Sequence, residues 1–144
     1  MLKGLDPLLS PELLSALRAM GHGDEIAIVD GNFPATSSGP PVLRLDGVPA
    51  DAAVHAVLSV MPLDDFVPDA AWCMAVVDDP EAEQPIFDAF REALARHETT
   101  EFTLNKLERF AFYARVEQCF AVVATGERRL YGNIILKKGV VRTN

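Results

Sequence analysis

Positive charge is scarce in this chain: 13 lysines and arginines stand against 21 aspartates and glutamates, for a formal net charge of −8. Phosphate backbones and anionic lipid surfaces are held by cations, so nucleic acid and acidic membranes are excluded as partners. The compact basic groups, Arg128-Arg129 and Lys137-Lys138, read as solvated loop or strand ends. Cysteine is nearly absent. The 2 present, Cys73 and Cys119, lie in apolar runs without CxxC spacing and read as reduced core thiols. No apolar run is long enough to cross a bilayer, and Met1 to Pro7 has no apolar signal core; a cytoplasmic soluble protein is expected.

Standard catalytic signatures are missing too. There is no Walker loop, no HExxH and no Gly-x-Ser-x-Gly elbow. Gly21-x-Gly23-x-x-Ile26 lacks a third glycine and follows a helix rather than a strand, which rules out the dinucleotide fingerprint. His22, Asp24 and Glu25 offer donors for a metal, but Asp24 and Glu25 would point to opposite sides of a strand. No metal site is assigned. Disorder is excluded by a hydrophobic content of 49%, and 144 residues suit one domain spanning residues 1–144.

What is present is organised around Gly21 to Asp30. Four consecutive apolar residues, Ile26 to Val29, read as a strand covered on both faces, as in parallel sheets. His22 precedes that strand in a glycine turn, and Asp30 follows it, where ligands gather in open α/β sheets. At about 3.3 Å per residue the strand would hold the two side chains roughly 20 Å apart. Either the glycine turn folds His22 back, or another subunit completes the site; the second makes oligomerisation part of the function. A plainer role for His22 is to satisfy the last carbonyls of the preceding helix.

That helix starts at Ser10-Pro11-Glu12, where Ser10 can cap and Pro11 fits the first position. Leu13, Leu14, Leu17 and Met20 mark its buried face. Residues 31–41 read as an irregular loop, 42–45 as a strand, 50–61 as a helix burying Val54, Val57, Leu58 and Met61, and 70–77 as a strand. Next come a helix over 85–97 with Ile86, Phe87, Phe90 and Leu94 inward, a short strand over 101–104 and a helix over 107–118. In that last helix Phe110, Tyr113 and Ala114 lie at one-turn spacings; His55 reads as a boundary residue. Strands over 119–124 and 130–136 close the chain as a candidate antiparallel hairpin. Alternating helices and strands predict an α/β protein, a three-layer α/β/α sandwich with a mostly parallel mixed sheet.

The remaining polar set, His22, Asp30, Arg109, Tyr113, Tyr131 and Asn133, contains no nucleophile and suits hydroxyl recognition with proton transfer. Tyr131 and Asn133, two apart on an expected strand, would share a face; finishing an edge strand is their plainer role.

Three segments resemble the L-fucose mutarotase branch of the family that also holds D-ribose pyranase. They are Ser10-Pro11-Glu12-Leu13-Leu14 through Gly21-His22-Gly23-Asp24-Glu25 to Asp30 and Phe33-Pro34; Glu108-Arg109-Phe110-Ala111-Phe112-Tyr113; and Thr125-Gly126-Glu127 through Tyr131-Gly132-Asn133 to Val140. The resemblance spans nearly the whole chain. It implies a cofactor-independent sugar isomerase that interconverts anomers or ring forms of a monosaccharide. By the same resemblance His22 is the proton donor, and Asp30, Arg109, Tyr131 and Asn133 bind sugar, joined in the fucose branch by Asp64, Met74 and Tyr113. It further implies a ring-shaped homo-oligomer, typically a decamer, with the pocket at a subunit boundary. Thr36 departs from the enterobacterial-type fucose sequences, which carry histidine after Phe-Pro-Ala. A ribose-type pyranase, a non-catalytic sugar-binding module and a plain scaffold are the other readings open at this level.

Overall fold

Ten elements form in the order that the apolar periodicity predicts, and the computed structural model describes residues 1–144. Their order is α1 (Pro11–Ala19), β1 (Glu25–Val29), β2 (Val42–Leu45), α2 (Ala50–Leu58), β3 (Ala71–Met74), α3 (Pro85–His97), β4 (Asn105–Leu107), α4 (Arg109–Glu117), β5 (Ala121–Thr125) and β6 (Ile134–Lys137). Ser10 caps α1 by accepting from the Leu13 amide, with Pro11 at the start of the helix. Glu108 caps α4 through the Phe110 and Ala111 amides.

The strands make one sheet in the order β2-β5-β1-β6-β3-β4. Neighbours β2/β5, β5/β1 and β3/β4 are parallel, whereas β6 runs antiparallel to both β1 and β3. Alternation along each strand sorts the side chains onto two faces. Ile26, Ile28, Val123, Ile134 and Leu136 pack under α1, α2 and α3 around Phe87, Phe90 and Leu13. Ala27, Val29, Val122, Ala124 and Ile135 face α4, through Phe112 and Val116, and the loop carrying Ala35. Three layers result. No helix is long and apolar enough to cross a membrane.

Four expectations change. The last two strands do not form a hairpin: β5 and β6 lie on opposite sides of β1. Residues 126–133 are long enough to step over the end of β1, and Gly31 N donates to Glu127 O at 2.9 Å as they pass. Tyr131 and Asn133 therefore lie in this crossover, ahead of β6, rather than on a strand. The buried face of α4 is Phe112 and Val116, four residues apart and packed on Val29, Val122 and Ile135 of the sheet, while Phe110 is exposed. The short strand before α4 sits at 105–107 instead of 101–104.

Candidate active site

The crossover over β1 brings most of the polar set together. A cleft of about 250 Å³ is lined by Asp30, Met74, Arg109, Tyr113, Tyr131 and Asn133, with Phe33 and Val77 among its apolar walls. A hollow of about 670 Å³ beside it shares Val77 and Arg109, but the polar groups converge in the smaller one. Asp30 leaves the end of β1 and is held from two sides. Its Oδ1 accepts from the Asn32 amide at 3.0 Å and its Oδ2 from Asn133 Nδ2 at 3.1 Å. The Asp30 amide donates back to Asn133 Oδ1 at 2.9 Å. Burial pushes the Asp30 carboxyl above the usual aspartate range, against the pull of these donors.

Tyr131 has φ 62°, a conformation costly for a residue with a side chain, and its hydroxyl accepts from the Val77 amide at 3.1 Å. Its neighbour Gly132 has no room for a side chain, since a Cβ there would lie 2.6 Å from Glu127 Cγ. Tyr113 is tilted against Phe33 with ring centroids 5.4 Å apart. Arg109 lays its guanidinium over the Phe110 ring at 4.6 Å, and its Nε is buried without a protein partner. A buried donor left unpaired is costly, so this one is suited to a ligand oxygen.

His22 and Asp64 lie elsewhere. In the register of β6, Lys137 stands opposite Glu25 at the start of β1, and Lys138 exchanges backbone bonds with Gly23 and Asp24. Asn133 precedes the other end of β6, beside Asp30. The glycine turn is thus fixed at the far end of β1 from the cleft, and His22 does not line it. There His22 Nε2 meets Asp64 Oδ1 at 3.0 Å, with the imidazole half exposed and the carboxylate buried. Burial raises the Asp64 carboxyl, but the His22 bond, the Phe66 amide and the Lys137 charge outweigh it and hold it below the usual range. An ionised carboxylate only accepts, so Nε2 carries the hydrogen of this bond and Nδ1 is the nitrogen that the bond leaves over.

Two supports escaped the sequence reading. Glu127 is 5% exposed and accepts from the Ala50 amide and from the backbone and guanidinium of Arg129, which also reaches Asp51 at 2.8 Å. The Arg129 bonds pull the Glu127 carboxyl down to about 2. Arg129 is therefore a brace under the crossover rather than a solvated end. Lys138 likewise turns inward, its ammonium donating to the carbonyls of Leu17 and Met20 at the end of α1. An acid and a base close in sequence, Glu127 and Arg129, are the one local hint of the first.

Comparison with known proteins agrees with this architecture. Residues 3–141 match the RbsD / FucU transport protein family. The chain is 49% identical over 146 residues to the fucose mutarotase of Mus musculus, covering 97% of this chain and 95% of that protein. For the fucose mutarotase of Homo sapiens the identity is 48% over 149 residues, with 99% and 96% covered. Among solved structures, the fucose mutarotase of Streptococcus pneumoniae in complex with L-fucose superposes with a TM-score of 0.91 at 41% identity, covering 98% of this chain and all of that one. Bacillus subtilis RbsD complexed with D-ribose shares the fold, with a TM-score of 0.76 at 22% identity. By sequence over nearly its full length and by fold, the chain belongs to the RbsD/FucU family.

Proposed function

We propose that this chain is a cofactor-independent isomerase that interconverts the α and β anomers of L-fucose, acting as one domain over residues 1–144. The observation that carries the reading is the half-exposed His22 imidazole held by the ionised Asp64, in a chain whose other polar groups converge on a cleft of about 250 Å³. The fucose mutarotases it resembles, one of them solved with L-fucose, supply the sugar.

Opening a cyclic hemiacetal requires a proton on the ring oxygen and loss of one from the anomeric hydroxyl; reclosure on the other carbonyl face gives the other anomer. His22 delivers the proton from Nδ1 and recovers it, while Asp64 keeps Nε2 protonated and steadies the imidazolium. Asp30 accepts from sugar hydroxyls, Asn133 holds Asp30, Arg109 donates in a fork, and Met74, Tyr113 and Tyr131 form the walls.

Because His22 sits across β1 from the cleft, we place each working site at a subunit boundary, with the cleft from one copy and the His22–Asp64 pair from another. A ring-shaped homo-oligomer supplies such boundaries, and a decamer is the size we propose from the family resemblance. We place it in the cytoplasm, in keeping with the free, buried Cys73 and Cys119, whose thiols burial pushes up to about 11 and about 12.

Saturation transfer between the anomeric proton signals tests the reaction without separating products. Faster α/β exchange of L-fucose with protein present is expected. Acceleration of D-ribose ring-form exchange alone would contradict the assignment.

A further inference from the structure

We infer that Phe66 is a substrate-contacting residue that selects a methyl group on the ring carbon next to the ring oxygen. The inference rests on the assignment of His22 as the acid. Phe66 is among the most exposed large apolar side chains, at 61% of its surface, and no core packing accounts for its place. It is not loose. Its amide donates to Asp64 Oδ1 at 3.0 Å, the same oxygen that holds His22. Its ring lies 5.1 Å from the His22 ring, tilted by 54°. The Arg142 guanidinium braces it at 4.8 Å, tied in turn to Asp65 at 2.9 Å.

One carboxylate thus fixes an acid and an open apolar ring side by side. An acid that reaches the ring oxygen of a pyranose also brings its neighbours to C1 and C5, the two carbons bonded to that oxygen. In a 6-deoxy hexose C5 bears a methyl group, in the parent hexose a hydroxymethyl, and in the matching pentose only hydrogen. An exposed phenyl ring beside the acid gains apolar contact from the methyl and must desolvate the hydroxyl of the hydroxymethyl. Neither Phe66 nor His22 lines the cleft of its own copy, so this contact is made from the same side as the proton.

L-Fucose, L-galactose and D-arabinose share their configuration at C2 to C4 and differ only at C5, which makes them the probes. Anomeric exchange rates are measured for all three on the assembled protein, on Phe66→Ala and on Phe66→Leu, with assembly checked by sedimentation. The native protein is expected to favour L-fucose over D-arabinose, and Phe66→Ala to lower that ratio roughly tenfold, the usual worth of a methyl in an apolar site. L-Galactose should gain on L-fucose in the same variant. Phe66→Leu, still apolar, should keep most of the preference. A uniform fall for all three sugars would overturn the inference, since a ring that only steadies His22 cannot tell them apart. His22→Ala, run alongside, separates the failures. Full activity there overturns the acid assignment, whereas an inactive His22→Ala beside unchanged ratios in Phe66→Ala overturns the role of Phe66 alone.

Discussion

At the scale of single residues, the proposed chemistry divides between a proton and a set of hydroxyl contacts. With Nε2 committed to Asp64 at 3.0 Å, Nδ1 is the nitrogen left for the sugar in the proposed reaction. Replacing His22 with alanine should leave the fold and assembly intact, since the imidazole is half exposed, and lower the exchange rate by about 10²- to 10⁴-fold. Asp64→Asn keeps the shape but frees the tautomer, so its rate should fall with sugar affinity unchanged; calorimetric titration beside kinetics would show the split. Asp30 acts on affinity instead. Its alanine variant removes a charged acceptor and should weaken sugar binding by roughly 10- to 100-fold. The sign of its pH dependence follows from its raised pKa: protonation removes an acceptor, so affinity should begin to fall at a higher pH than an ordinary aspartate would give. Titrating affinity against pH in the native protein, and in an Asp30→Asn variant where that limb is lost, checks this.

At the scale of elements, the crossover 126–133 decides whether the cleft exists. It carries Tyr131 at φ 62° and Asn133, and Glu127 with Arg129 pins it to the start of α2. The Glu127 carboxyl has a folded pKa of about 2 against an ordinary 4.5, so it stabilises the fold above about 4.5 and that contribution is lost as pH falls toward about 2. Glu127→Gln should cost on the order of 2 kcal/mol at neutral pH, discounted for the solvent-open Arg129, and flatten acid unfolding in that window. A variant with the native acid profile would contradict this account of the brace. Legibility in the sequence follows the same division. Apolar periodicity is local, so the order of all ten elements and the inward faces of α1, α2 and α3 could be read directly. Strand pairing is not local: Thr125-Gly126-Glu127 looks like a tight turn until β1 is seen lying between β5 and β6. The α4 face was hidden for a related reason, since Phe110 is apolar yet exposed beside Arg109 and Tyr113. Residues such as Asp30 and His22 stand out because polar groups flank an apolar strand. Glu127, Arg129 and Phe66 do not: beyond their own pairing Glu127 and Arg129 brace the crossover through Ala50 and Asp51, far along the chain, and Phe66 takes its place from the meeting of His22 with Asp64.

At the scale of the whole molecule, one strand separates the His22–Asp64 pair from the cleft, the two halves of the proposed site. β1 is straight core with Ile26, Ala27, Ile28 and Val29 fully buried, so no loop movement can carry His22 along it to Asp30 without unmaking the sheet. A single copy should therefore bind sugar weakly and accelerate nothing, and assembly should restore the rate. Subunit complementation tests this most directly. His22→Ala and Asp30→Ala copies are co-expressed, the mixed assemblies are isolated through two different tags, and exchange is measured at a sugar concentration too low to fill the Asp30→Ala cleft, where neither variant is active alone. If the cleft and the acid come from different copies, random mixing joins an intact cleft to an intact His22 at about a quarter of the boundaries, and that share of native exchange should return. If both come from one copy, every site carries a lesion, and mixed assemblies that stay inactive would contradict the shared site.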